Sequence, residues 1–92
     1  MIVRIATEGQ YELLENDEQV LGELDNQAVA ACQTGDEEQF RATFQRLLEF
    51  VRSNGTPIDE DRLVSSDLII PPPDVSMEEA SKEFSGEGLI PG

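Results

Sequence analysis

Met1, Val3 and Ile5 alternate with Ile2, Arg4 and Ala6 at the start of the chain, a two-residue period that predicts a strand. Thr7 to Gln10 supply a turn, and Tyr11 to Leu14 return as a second strand, so the chain opens on a hairpin. The period then lengthens. Val20, Leu21, Leu24, Ala28, Ala31 and Cys32 fall three to four apart and form one helical stripe, which Thr34 and Gly35 stop. Asn16 with Gln19 makes a capping-box pattern for this helix, and Asp17 and Glu18 suit the positive end of its dipole.

Asp36 is a good N-cap for a second helix, with Glu37 and Glu38 in its first turn. Phe40, Phe44, Leu47, Leu48 and Val51 recur at helical spacing up to Arg52, and Asn54-Gly55 ends the run. The short Thr34-Gly35-Asp36 link requires the two helices to fold back as an antiparallel pair, their stripes facing each other and the hairpin.

Beyond Thr56 the pattern changes character. Pro57 ends helical geometry, Asp59, Glu60 and Asp61 form an acidic turn, and Leu68, Ile69 and Ile70 make a short apolar run closed by Pro71, Pro72 and Pro73. A third strand pairing with the hairpin fits that run. Prolines donate no backbone hydrogen bonds, which leaves a strand beside them at a sheet edge. Ser76 with Glu79 is a second capping box, opening a short helix with Met77, Ala80 and Phe84 on one face and Gly86 after its end. The predicted fold class is α+β: a small antiparallel sheet, the hairpin plus this third strand, packed on an antiparallel helix pair, with a short C-terminal helix. The 92 residues make one domain with a thin core, which a partner or a second copy would help to stabilise.

Charge narrows the function. Twenty acidic residues stand against five Arg and one Lys, with no histidine, for a net charge of −14. Affinity for nucleic acid comes mostly from basic side chains that neutralise phosphates, and here the cations are scattered, so no nucleic-acid binding is expected. The same sign argument sets aside direct binding to anionic lipid and leaves indirect membrane association through a cationic or amphipathic partner. The acidity reads either as solubility, or adaptation to a salty cytosol given that Lys82 is the only lysine, or as steering towards a basic partner. No apolar run reaches the ~18–20 residues of a membrane span and the start does not read as a signal peptide, so the chain is expected to be cytoplasmic.

Catalysis finds little to work with. Cys32 lacks a histidine to deprotonate it and reads as a small helix residue. Asp59, Glu60 and Asp61 are the one compact acidic cluster, yet they lack the glycine and distal glutamate of a calcium loop. No zinc spacing and no phosphate-cradling loop occur. No catalytic residue, metal ligand or cofactor site is assigned. The apolar runs Leu68, Ile69, Ile70 and Leu89, Ile90 are the candidates for contact with a partner or with a second copy, or they belong to the monomer's own core.

Met1-Ile-Val-Arg-Ile5, Gly9-Gln10-Tyr11, Gly55-Thr56-Pro57, Ser66-Asp67-Leu68-Ile69-Ile70-Pro71-Pro72, the Glu78-Glu79 helix and Glu87-Gly88-Leu89-Ile90-Pro91-Gly92, in that order, resemble the PspA-associated protein family, PspAA, from end to end. Where the family often has His before Gly-Thr-Pro, this chain has Asn54. The resemblance implies a non-enzymatic accessory protein of the phage-shock envelope-stress system. It would act with PspA, a coiled-coil membrane-remodelling protein that approaches anionic membranes through amphipathic, partly basic helices. The rival expectation is a structural domain that self-associates.

Overall fold

Local alternation builds the hairpin, and the helix pair grows from the two periodic stripes; a computed structural model describes residues 1–59, 61–62 and 64–83. Strands β1 (Ile2–Ile5) and β2 (Gly9–Glu12) pair antiparallel, with Val3 opposite Tyr11 and Arg4 opposite Gln10. The reversal is tight, Glu8 N–H donating to Ile5 O at 2.9 Å. It holds Thr7 at φ 73°, a left-handed backbone that a β-branched residue rarely adopts. The second strand therefore begins at Gly9, earlier than the sequence pattern suggested.

Helix α1 spans Glu15–Thr34 and α2 spans Glu37–Asn54, and the two pack on each other. The expected cap at Asn16 does not form. Leu14 occupies the N-cap without a side-chain bond, because buried Leu13 is still tied to Met1 O and the chain leaves the sheet straight into the helix. Glu15, Asp17 and Glu18 favour that uncapped end through the dipole instead. At the other end Gly35, at φ 74°, takes the left-handed cap that ends α1. Asp36 then caps α2, its Oδ1 accepting from Gln39 N–H at 3.0 Å.

The stripe of α2 is buried as its spacing predicts: Phe40, Phe44, Leu47, Leu48 and Val51, joined by Thr43, whose hydroxyl donates to Gln39 O at 2.7 Å. Phe40 and Phe44 stack at 5.4 Å between ring centres. The stripe of α1 is rotated from expectation. Leu21, Ala28, Val29 and Ala31 are buried and Leu24 and Cys32 pack partly against the core, whereas Val20 lies at the edge of the face and is exposed. Asp25, only 2% exposed, sits inside the stripe and is not without a partner.

The sheet has four strands in the order β3-β2-β1-β4. The additional one is β3 (Thr56–Ile58), antiparallel to β2 with Pro57 opposite Tyr11. Three residues with a proline among them show no alternation, and the strand survives because an edge position needs no N–H from Pro57 on its outer side. The expected strand at Leu68–Ile70 is β4, on the opposite edge; it runs parallel to β1 rather than antiparallel. The α+β class stands, with a mixed sheet. Helix α3 (Met77–Glu83) follows with Ser76 Oγ accepting from Glu79 N–H at 3.2 Å, and it packs on α1 with Ala80 buried. Phe84 and Gly86 lie outside the described residues.

Candidate functional site

β3 and β4 run in the same direction on opposite edges, so the residues joining them have to cross a whole face of the sheet. Val3, Ile5, Leu68 and Ile70 fill the face towards the helices. The crossover takes the other one. Gln10, buried on that outer face, donates from Nε2 to Val64 O at 3.1 Å and to Ser66 Oγ at 2.7 Å, clasping the crossing chain at mid-sheet. Asp67 finishes the crossing: its N–H donates to Ile2 O at 2.7 Å while its Oδ2 accepts from Ile2 N–H at 2.8 Å. A carboxylate beside β1 thus sets the register of the parallel strand.

This arrangement leaves two concavities. The first, about 530 Å³, lies under the crossover between Arg4, Gln10 and Ile58 of the sheet and Arg62 and Val64 of the crossing chain. The second is a smaller groove of about 190 Å³ where β4 gives way to the prolines, lined by Ala6, Ile69, Pro71, Pro72, Val75 and Glu79. Of the residues picked out by sequence for partner contact, Leu68 and Ile70 are core residues and Ile69 is 58% exposed at that groove. Strand alternation divides them. Leu89 and Ile90 lie outside the described residues. The remaining large exposed apolar side chains among the described residues, Leu14 and Val20, lie at the start of α1.

Titratable chemistry is sparse. Cys32 is half-buried on α1 near α3, where burial raises its thiol pKa above the ordinary value and the nearby Ser81 side chain acts in the opposite direction. Arg52 clamps Glu8 through both oxygens, tying the hairpin turn to the end of α2, and that contact holds the guanidinium pKa above its ordinary value. Among the described residues no three His, Cys, Asp or Glu side chains are grouped to hold a metal; Glu60 of the acidic turn lies outside them. No described helix is long and apolar enough to cross a membrane.

Sequence reasoning missed Gln10 and Asp67 as organisers of the outer face. Gln10 sits in a short polar-looking strand, and its partners lie more than fifty residues away. A glutamine at an inner sheet position was the signal available. A family model described as PspA-Associated protein matches residues 1–92, the whole chain. No curated protein and no solved structure matches it.

Proposed function

The chain belongs to the PspA-associated protein family, and from that premise we propose a non-enzymatic, cytoplasmic accessory role: binding and modulating a PspA-type membrane-stress protein. The observation that carries this reading is the family match over the entire chain. Electrostatics supply a mechanism. An acidic module of net charge −14 competes with anionic lipid for the basic face of an amphipathic helix. The groove at β4 suits such a helix, because Ile69, Pro71, Pro72 and Val75 offer an apolar seat for one anchor side chain and Glu79 stands at its rim for a neighbouring cation.

Binding of the purified protein to a PspA-type protein at low and high salt is the direct test. The expected result is clear association at low salt that weakens as salt rises, and weakens further in Ile69→Asp. Salt-independent binding removes the electrostatic component, and absence of binding under both conditions overturns the reading. A second reading, self-association through the same face, is favoured by the edge position of β4 beside exposed Ile69. Sedimentation separates the two, since only self-association gives a dimer of the protein alone that Ile69→Asp dissolves.

A further inference from the structure

Arg4 on β1, Gln10 on β2 and Ile58 on β3 stand in one row across the outer face of the sheet. The crossover, turned by the Arg62 N–H to Asp59 O bond of 3.0 Å, lays Arg62 and Val64 against that row and encloses the cleft of about 530 Å³. This volume falls within the usual small-molecule range of roughly 300–1,000 Å³. Both arginines are exposed, and neither guanidinium has a hydrogen bond or ion pair with another described residue.

Among the described residues Arg52 is the arginine held by a carboxylate, that of Glu8. The Glu8 carboxylate also borders the cleft, but both its oxygens are held by Arg52. The floor is polar and half-committed: Gln10 spends its amide nitrogen on the crossover, which leaves its Oε1 as an acceptor. Ile58 and Val64 add apolar wall. At the rim, Thr7 holds a φ of 73° where glycine would be unstrained, the kind of local strain that gathers at ligand sites.

We propose that this cleft binds a small free phosphate monoester carrying an apolar body, its oxygens held by Arg4 and Arg62 and its body against Ile58 and Val64. Guanidinium forks match phosphate oxygens in bidentate fashion. The size limit follows from charge. Glu8 at the cleft is offset by Arg52, and Asp59 and Asp61 flank Arg62, so within a Debye length of ~8 Å a small monoester meets roughly balanced charge, whereas a long polyanion or an anionic bilayer also meets the surplus carboxylates beyond. The proposal is independent of the partner named above.

Amide NMR of the full chain, titrated with phenyl phosphate, with inorganic phosphate and with phosphatidylglycerol vesicles, tests it. Phenyl phosphate is expected to shift the Arg4, Gln10 and Arg62 signals saturably and to bind more tightly than inorganic phosphate. The double variant Arg4→Gln/Arg62→Gln is expected to weaken binding by about tenfold or more, while Arg46→Gln on the exposed side of α2 leaves it unchanged. Should the double variant melt early, Arg62→Gln alone, on the crossover, carries the same comparison. Absence of saturable shifts at these amides, or equal loss in Arg46→Gln, overturns the site. Vesicle binding that competes with phenyl phosphate overturns the claim that the ligand is small and free.

Discussion

The helix pair and the sheet bury their core residues by different routes. Between Glu15 and Asn54 the core residues lie on two helices joined by one glycine turn; α2 carries its buried face in its own spacing, and packing against it sets the face of α1. In the sheet, Ile2 meets Asp67, Gln10 meets Ser66 and Tyr11 meets Pro57, pairings forty-six to sixty-five residues apart that no local pattern encodes. Local stripes give a body tolerant of polar loss and sensitive to volume. Distant clasps give one tolerant of volume change on its outer face and sensitive to single hydrogen bonds.

The sharpest way to break the helical body is Phe40→Ala. This side chain is fully buried and stacked on Phe44, so its truncation is expected to cost about 3–5 kcal/mol, read as a fall in the urea midpoint. Such a loss is a large part of the roughly 5–15 kcal/mol available to a natural domain. Gly55→Ala strikes the seam between the two bodies. A Cβ there meets Val51 O at 2.6 Å and Tyr11 Cβ at 2.8 Å, so backbone has to shift, at about 1–3 kcal/mol by the same measurement.

Gln10→Ala tests the sheet on its own terms. Losing the clasp is expected to cost about 1–3 kcal/mol and to speed hydrogen exchange at Ser66 and Asp67 while leaving the α2 amides unchanged. Equal acceleration in α2 would show the two bodies to be one cooperative unit and dissolve the contrast. Thr7→Gly runs the opposite way: relief of the strained φ of 73° outweighs the added unfolded-state entropy, for a gain of about 1 kcal/mol in thermal unfolding.

The smallest effect concerns Cys32. Burial keeps its thiol protonated to a higher pH than the ordinary 9.0, so alkylation of the native protein is expected to be slower than of the urea-unfolded chain at pH 8. The corresponding stability term is fully present below pH 9.0, where the thiol is neutral in both states. It declines as pH rises from there through the raised native value, because only the unfolded chain ionises at first. Faster alkylation of the native form would place Cys32 in an activated environment instead.

The two bodies differ in legibility for the same physical reason. The α2 stripe, the Gly35 stop, the Asp36 and Ser76 caps, the opening hairpin and the proline-bounded strand at Leu68–Ile70 rest on interactions within a few residues, which spacing and residue type report. Where local signals competed with a long-range tie, the tie won. Leu13 pinned to Met1 displaced the expected cap from Asn16, and the rotation of α1 against α2 left Val20 outside and Asp25 inside. The interaction candidates divide likewise: alternation within β4 left one of three apolar residues at the surface, a choice set by which face met the helices.

Spacing, charge and motif order along the chain were enough for the α+β class, the net charge of −14 and the family to which the chain belongs. Tertiary structure alone decided that β4 runs parallel to β1, that a crossover roofs the outer face, and that Arg4 and Arg62 share one cleft. Periodicity and charge are sums over neighbours along the chain. Strand direction and side-chain company depend on closing loops between distant residues, and only the folded arrangement fixes which closures satisfy the buried polar groups.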